Sequence, residues 1–409
     1  MFSKHYIISF LFFNSSIIYS QNPGYPFRIR TITAGVTLQS LSDTITLNTA
    51  IGFLKKARDV YIAKGYEVQT LRISTQNIYE YLYQHSYDEA LLYLIRFDKI
   101  AKRNNVILSI GQILPGDKQK VGIADWTVKL VKNTTSISFS LPISSYEEGI
   151  YSVSIKLASE IILALSKEDE GEANFRFTAS ANCPAGIPFF PAAFHYGKNS
   201  FALGLESANL VTEAFKNSTP VNARQNLKAI LERNLKPVEE IAVGLSKKFK
   251  WQYDGIDVSP APGLDASIGQ AIEAFSGQLF GNPATLSACA LITDVLKSLD
   301  IKKCGYSGLM LPVVEDKVLA KNAMEGRFTI QELLLFSSVS GTGLDVVPIP
   351  GDTPKQVLVN ILTDVAALSL KYHSKALSVR LFLIPGKKAG ELVTFRNPYL
   401  TPSIVMKVE

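Results

Sequence analysis

The sequence predicts an α/β fold, in which parallel strands form one sheet and helices pack outside it. Strand-like and helix-like segments alternate along most of the 409-residue chain, and this order favours parallel pairing. Hydrophobic residues make up 47% of the chain, which is enough for a large core. Length alone predicts two or three domains, but an α/β barrel often uses this length in one.

The first half of the chain alternates regularly. Its strands are recognised by their Ile, Thr and Val content. The helix over 43–65 begins at Asp43 and ends at Gly65. The predicted strands are 27–38, 66–74, 106–113, 137–143 and 174–182, and the predicted helices are 43–65, 86–105 and 144–169.

Helices dominate the second half. The helices over 200–217 and 223–249 are predicted from apolar residues spaced three and four apart. Short strand-like pieces follow, each running into a Gly/Pro-rich loop. They cover 253–263, 306–316, 341–352 and 377–390, and helices over 265–275, 284–299, 328–339 and 353–373 separate them. Because ligands of α/β sheets bind beyond the carboxyl ends of strands, these loops predict the site.

Charge and cysteine content exclude several classes of protein. The formal net charge is +6, and no run of Lys and Arg follows the pattern of nucleic-acid binding, so no nucleic-acid partner is expected. Three cysteines, Cys183, Cys289 and Cys304, do not make a disulfide scaffold, and their spacing does not resemble a zinc site.

The N-terminus predicts a secretory signal peptide over 1–20. Lys4 precedes an apolar run at 6–13, and Ser20 offers a small residue for cleavage. The alternative is a misassigned start codon on a cytoplasmic protein. The run is too short for a transmembrane helix, and no other segment is long and apolar enough. The mature chain is therefore expected to be exported, periplasmic or secreted, and free of membrane.

The stretch "NCPAGIPFFPAAFH", residues 182–195, gathers the first candidate residues. It follows a predicted strand, and its three prolines prevent a regular strand or helix. Cys183 is a candidate nucleophile, provided that His195 or a helix N-terminus lowers its pKa, and His195 is a candidate for proton transfer. Asn182 is a candidate ligand-binding residue. The alternative is a buried structural thiol beside a histidine that bonds to the backbone.

The stretch "GIDVSPAPGLDASIG" carries the second candidates. Asp257 ends a predicted strand, where acid–base residues of barrels usually lie, so we expect it to be catalytic. Ser259 follows in the loop and is a candidate ligand-binding residue. Asp265 is predicted to be the N-cap of the next helix.

Acidic residues in the second half could hold a divalent cation. Glu315 and Asp316 in "LPVVEDKVLA", together with Glu206, are candidate oxygen ligands for Mg²⁺ or Ca²⁺. The alternative is that paired acids at a helix start stabilise its dipole. "SVSGTGLDVV" offers the backbone N–H groups of Gly341 and Gly343 to an anion, although it lacks the lysine of a P-loop.

These stretches, with "RTITAGVTL" and "PGKKAGELVTF", resemble the family called domain of unknown function 711, or uncharacterised protein family 0210. The resemblance covers roughly 28–409. It implies one domain over 21–409 with a ten-stranded β/α barrel, similar to pyruvate formate-lyase, and an additional N-terminal α+β portion over roughly 112–170. It implies no reaction. Gly386 and Gly390 lack the sequence context of a radical glycine, and fold alone does not carry function.

The leading hypothesis is an enzyme that acts on a small polar or anionic metabolite at the mouth of the barrel. The alternative is an exported, non-catalytic protein that binds or senses a small ligand. A divalent metal and a homo-oligomer are both compatible with the sequence. The candidate ligand-binding residues are Asn182, Ser259, Ser307, Gly341, Gly343 and Asp345.

Overall fold

A computed structural model describes residues 25–82, 85–216, 218–263, 265–371 and 375–408. The predicted signal peptide lies outside the described residues. The strands are β1 (Arg28–Gly35), β2 (Val68–Ser74), β3 (Val106–Gln112), β4 (Ile137–Ser145), β5 (Gly149–Ile150), β6 (Phe177–Ala181), β7 (Ser200–Glu206), β8 (Gln252–Pro260), β9 (Gly343–Pro350), β10 (Leu377–Ile384), β11 (Leu392–Val393) and β12 (Ser403–Ile404). The α-helices are α1 (Thr44–Ala63), α2 (Tyr87–Arg103), α3 (Ile123–Asn133), α4 (Ser152–Leu165), α5 (Ala208–Lys216), α6 (Ala223–Phe249), α7 (Ile268–Ser276), α8 (Thr285–Ser298), α9 (Lys317–Met324), α10 (Ile330–Val339) and α11 (Lys355–Leu370).

One ten-stranded, mostly parallel sheet organises the chain, which confirms the predicted α/β class. The strand order is β8-β7-β1-β2-β3-β4-β6-β10-β9, and β5 pairs with β4. Strands β1, β2, β3, β4 and β6 run parallel to one another, as do β7 with β8 and β9 with β10. The junctions β1/β7 and β6/β10 are antiparallel.

Because of the antiparallel junctions, strands finish at both ends of the sheet. Gly35 lies opposite Ser200 and Arg28 opposite Glu206, so β1 finishes where β7 starts. We call the end where β1 and β6 finish the cysteine end, because Cys183 follows β6. The end where β7 and β8 finish is called the arginine end, because Arg28 and Arg30 lie there. The Gly/Pro loops therefore do not gather at a single mouth, which corrects the expectation from sequence.

No strand pairing joins β8 to β9 among the described residues. Instead, the segment 302–313 runs between the two strands. Lys303 makes an isolated bridge with Ile256 of β8, and Pro312 makes one with Asp345 of β9. The prediction of a strand over 306–316 was wrong, because the backbone N–H groups of residues 306 and 307 donate to a carboxylate and not to a neighbouring strand.

Two predicted helices begin later than expected. Residues 200–206, predicted as the start of a helix, form strand β7, which is buried along its whole length. A strand that is buried on both faces has no polar alternation, so its apolar spacing also fits a helix. The helix predicted over 144–169 begins at Ser152, because the end of β4 and the short strand β5 precede it.

The two faces of the sheet differ in polarity. One face presents Ile32, Phe139 and Phe177 to the helices and forms the main hydrophobic core. The alternate positions carry buried hydroxyls. These include Thr31, Thr33, Ser109, Ser138, Ser140, Thr178 and Ser180. We call the hydroxyl-bearing face the inner face.

The proline-rich segment 184–195 lies on the inner face. Thr33 Oγ1 donates to the carbonyl of Pro188 at 2.8 Å, and Ser109 Oγ donates to the carbonyl of Ala193 at 2.7 Å. Ile187 and Phe189 pack in a small apolar cluster with Met310 of the segment that links β8 and β9. The inner face is therefore covered in part by backbone that the strands hold through side-chain hydroxyls.

In the described part of the chain, no helix is both long enough and apolar enough to cross a bilayer.

Candidate functional site

A cavity of about 460 Å³ opens at the cysteine end. This volume lies within the range typical of small-molecule sites. Its wall includes part of the proline-rich segment, Pro184 to Gly186. The lining residues with reactive or polar side chains are His195, Tyr196, Gln252, Asp254, Lys303, Cys304 and Ser307. Two of the residues predicted from sequence, His195 and Ser307, thus meet at one cavity.

His195 is fixed in the cavity wall by backbone and packing. Its backbone N–H donates to the carbonyl of Thr75 at 2.9 Å, directly after β2. The imidazole packs against Gly35 at the end of β1, where any Cβ would collide with the ring. Only 5% of the residue is exposed. The ring therefore has one defined position, with the carboxyl ends of two strands beneath it.

A chain of hydrogen bonds fixes the tautomer of His195. Gln252 Nε2 donates to Asp254 Oδ1 at 2.8 Å, and the Ser200 hydroxyl donates to Asp254 Oδ2. Because the single proton of Ser200 goes to Asp254, its oxygen can only accept from His195 Nδ1, 3.3 Å away. Nδ1 therefore carries the proton. Nε2 is left with a lone pair and, among the described residues, no hydrogen-bond partner.

Burial determines the charge of this imidazole. Desolvation lowers the pKa of His195 below its ordinary value, and the opposing effect of the Asp254 charge is smaller. At neutral pH the ring is therefore neutral, and its unpartnered Nε2 is a base.

Cys183 lies at the same end but has other neighbours. Its Sγ lies 3.2 Å from the carbonyl oxygen of Leu377 and 3.9 Å from Tyr306 Oη. Burial raises the pKa of the thiol to about 12, so it is protonated at neutral pH. Its geometry favours the alternative of a structural thiol. Asn182 accepts a hydrogen bond from Tyr146 N–H at 3.3 Å and so ties two loops together.

Asp257 is completely buried, and both of its carboxylate oxygens accept hydrogen bonds from within the protein. Oδ1 accepts from Ser259 Oγ at 2.6 Å and from Ser307 N–H at 2.9 Å, and Oδ2 accepts from Tyr306 N–H at 2.8 Å. Ser259 Oγ in turn accepts from Gly308 N–H at 3.1 Å. This network fastens the segment 302–313 to β8. Burial still raises the pKa of Asp257 to about 6.

The predicted anion-binding loop at Gly341 and Gly343 also makes its contacts within the protein. Gly341 N–H donates to the carbonyl of Leu309 at 3.0 Å. A Cβ on Gly308 would lie 2.7 Å from the Cα of Gly341, so the two backbones meet closely. Gly343 has φ +86°, which permits its backbone to pack on β10. Asp345 accepts from Arg380 Nε at 2.5 Å.

Two of the predicted metal ligands are paired with arginines at the arginine end. Glu206 Oε1 lies 2.6 Å from Arg28 Nη1, and its Oε2 lies 3.1 Å from Arg30 Nη1. Glu315 bridges Arg30 and Arg380, each at 3.2 Å. Guanidinium groups therefore occupy the positions around these carboxylates that a cation would take.

Asp316 caps two helices at once. Oδ1 accepts from Val318 N–H at 2.9 Å and from Leu319 N–H at 3.1 Å in α9. Oδ2 accepts from Ile268 N–H at 2.6 Å in α7, and Oδ1 also accepts from Ser267 Oγ. The residue is fully buried. Ser267, and not Asp265 as predicted, is the N-cap of α7, while Asp265 binds Arg28.

The structure does not unite the three predicted metal ligands. Within the described ranges, no group of three or more His, Cys, Asp or Glu side chains is placed to hold a metal ion. Glu206 and Glu315 are connected only through Arg30, and Asp316 bonds to backbone and serine.

Sequence reasoning missed the buried arginines and the partners of His195. Arg72 stands in "LRIS" and Arg380 in "SVRLFLI", each a single charge within an apolar strand. Because arginine is rarely buried without a partner, such a position is itself an indication of a polar interior. Ser200 and Asp254 gave no comparable indication, since both are ordinary residues at strand starts.

Comparison with known proteins gives a consistent result. Residues 24–397 match the family model described as uncharacterised ACR (DUF711). A UPF0210 protein of Pyrobaculum aerophilum is 31% identical over 279 residues, which is 64% of this chain and 60% of that protein, less than two thirds of its length. A UPF0210 protein of Pyrobaculum islandicum is 28% identical over 90% of this chain and 84% of its own. One of Neisseria gonorrhoeae is 26% identical over 90% of this chain and 88% of its own.

Proposed function

The chain belongs to the uncharacterised ACR (DUF711) family, as its motifs predict, and from the geometry of its cavity we propose that it is an enzyme. The proposed reaction is proton transfer on a small polar or anionic metabolite that binds at the cysteine end. The observation that carries this proposal is the neutral imidazole of His195, a residue of the cavity wall whose Nε2 is enclosed and has no partner among the described residues.

His195 would act as the base. Its Nδ1 proton is held by Ser200, so the tautomer is fixed before any ligand arrives. When Nε2 takes a proton, the resulting positive charge is stabilised through Ser200 by the carboxylate of Asp254. Ser200 and Asp254 are therefore positioning residues, which orient the imidazole and favour its charged form.

The cavity also restricts the substrate. Lys303 lines the cavity, and its Nζ donates to the carbonyl of Leu299 at 2.6 Å. Ser307 Oγ donates to the carbonyl of Cys304 at 2.7 Å and can still accept a hydrogen bond. Side chains that donate hydrogen bonds and side chains that accept them thus line the cavity, which favours a metabolite with several polar groups.

Deuterium exchange tests the proposal. Full-length protein is incubated in D₂O with a set of small polar and anionic metabolites, and NMR follows loss of C–H signals and formation of products. We expect at least one metabolite to exchange or react, and His195→Asn to slow that process roughly 100-fold or more while binding persists. His85→Asn is the matched control, because His85 lies outside the cavity.

The same experiment separates the enzyme from its alternative. A metabolite that binds and returns unchanged from both the wild-type protein and His195→Asn would identify a binding or sensing protein. Equal turnover by the wild-type protein and His195→Asn would remove His195 from the reaction and contradict the proposed mechanism.

We also propose that the sheet closes into a barrel similar to that of pyruvate formate-lyase. Strands β7 and β8 run one way with β9 and β10, and the segment 302–313 bridges β8 and β9 between them. This segment holds the place of a fifth strand in that half. A crystal structure tests the idea, because an open gap between β8 and β9 on both sides of the segment would contradict closure.

A further inference from the structure

We propose a second ligand site, for a small anion, at the guanidinium group of Arg72 on the inner face of the sheet. The chemistry it recognises is a carboxylate or phosphate group, free or carried by a metabolite. The site is separate from the cavity of His195, since the proline-rich segment lies between them with Pro184 to Gly186 on the cavity wall and Phe190 over Arg72.

The hydrogen bonds of Arg72 are incomplete. The residue lies on β2 and is 9% exposed. Its Nε donates to Thr70 Oγ1 at 3.2 Å, and its guanidinium carbon lies 5.0 Å from the ring centre of Phe190. Within the described part of the chain, its two terminal nitrogens have no acceptor, and no carboxylate lies within 4.0 Å of the group.

Other arginines of the interior show what is missing. Arg30 pairs with Glu206 and Glu315, and Arg380 pairs with Asp345 and Glu315. Arg176 donates to the carbonyls of Val131, Thr134 and Ile137. The guanidinium of Arg72, as buried as that of Arg380, is left with one hydroxyl and one aromatic ring.

The surrounding charges make this position receptive to an anion. The pKa of Arg72 is lowered to about 9. Burial is the main cause, and the positive charges of Arg30 and Arg380 contribute, Arg30 more than Arg380. The group therefore stays charged at neutral pH, and an unpaired buried charge is costly. Glu315 is near enough to act on Arg72 through space, yet it bonds to Arg30 and Arg380. An anion at Arg72 would supply the missing partner.

The shape of the group determines which anions fit. The two terminal nitrogens of a guanidinium form a planar fork that matches two oxygens of a carboxylate or a phosphate. Phe190 covers the flat face of the fork, so the anion must approach along its edge. Chloride is a single spherical ion that offers no pair of oxygens to the fork, so it is the natural reference ion.

The test is an anion titration of the full-length protein. Melting temperature is measured at constant ionic strength while chloride is replaced by phosphate, by sulfate or by acetate. We expect phosphate or acetate to raise the melting temperature of the wild-type protein by about 2 °C or more, growing with the logarithm of concentration. The phosphate and acetate arms show which of the two groups the site prefers.

Variants assign the effect to Arg72. Arg72→Met should lose the response, Arg72→Lys should keep part of it, and Arg233→Met, at an exposed arginine, should keep all of it. His195→Asn should also keep it, because this site does not depend on the proposed enzyme activity. Equal responses in the wild-type protein and Arg72→Met, or no response in the wild-type protein, would overturn the proposal.

A crystal experiment covers the case in which Arg72→Met does not fold. Wild-type crystals are soaked in selenate, whose selenium gives an anomalous signal. A peak with oxygens about 3 Å from the terminal nitrogens of Arg72 supports the site. An empty position at Arg72, with selenate bound only elsewhere, overturns it.

Discussion

The two ends of the sheet handle polar groups in opposite ways. At the cysteine end, burial keeps His195 and Cys183 neutral, and a cavity of about 460 Å³ is left open. At the arginine end, Arg28 and Arg30 pair with Glu206, and the cavity lined by Arg28 and Glu206 is smaller, about 190 Å³. The difference teaches that paired charges hold the fold together at the arginine end, whereas the cysteine end keeps neutral side chains near an open cavity.

The largest expected effect concerns the neutral state of Cys183. With a pKa of about 12, its thiolate fraction at neutral pH is roughly 1000-fold below that of a free cysteine. We expect iodoacetamide to label it about 1000-fold more slowly than the exposed cysteine of a Ser287→Cys variant, measured by peptide mass spectrometry. Equal labelling rates would mean that the cysteine end holds a reactive thiolate, and the comparison would fail.

The next effect concerns Asp316, which caps both α7 and α9. Asp316→Ala should lower the free energy of unfolding by about 3 to 4 kcal/mol, because it leaves donors at the starts of α7 and α9 without an acceptor. Urea denaturation measures it. Asp43→Ala is the control, since Asp43 caps only α1 and should cost about 1 kcal/mol. Equal losses would show that the double cap adds nothing.

A pair of arginine variants sharpens the contrast within the interior. Arg380→Met should lower the free energy of unfolding by about 3 kcal/mol, because it leaves Asp345 buried without its partner. In buffer without phosphate or carboxylate, Arg72→Met should leave the free energy of unfolding unchanged or raise it, because no charge loses a partner and an unpaired buried charge is removed. A large loss for Arg72→Met under these conditions would mean that Arg72 has a protein partner after all.

The smallest effect is a pH dependence of stability. Asp257 has a folded pKa of about 6, above its ordinary value of 3.8, so the folded state binds its proton more tightly. Its contribution is present at pH 4 and is lost as the pH rises through 6, by about 2 kcal/mol. Asp257→Asn should remove this slope. Denaturation of both proteins between pH 4 and 7 measures it, and identical slopes would contradict it.

His195 should show the opposite sign in the same experiment. Its folded pKa is lowered, so its contribution is present above pH 6.5 and is lost as the pH falls below that value. His195→Asn should therefore reduce the loss of stability on acidification. An unchanged acid response would mean that the imidazole is charged in the folded protein.

Local patterns predicted much of this fold but not the direction of its strands. The regular alternation of the first half predicted β1 to β4 correctly, because their Ile, Thr and Val content distinguishes them from the helices between them. The reversal at β1/β7 depends on contacts between distant residues, and Arg28 and Glu206 are 178 positions apart. Sequence periodicity carries no information about that pairing.

The sequence likewise predicted some features of the candidate site and not others. A proline-rich loop after a strand was predicted to carry site residues, and the structure places part of this loop and His195 on the wall of one cavity. It did not predict that Asp257 would be occupied by backbone donors from 306 and 307, because those N–H groups come from a segment 49 and 50 positions later. The hydrogen-bond partners of a polar side chain decide whether it is free to react, and they are set by tertiary structure.

The attachment of the proline-rich segment also implies an order of folding. Its carbonyls accept from Thr33 and Ser109, which are 155 and 84 positions earlier in the chain. Closing such long loops is entropically costly before the strands that carry these hydroxyls are paired. We therefore expect the segment to dock after β1 and β3 have assembled, so that the inner face of the sheet is covered late in folding.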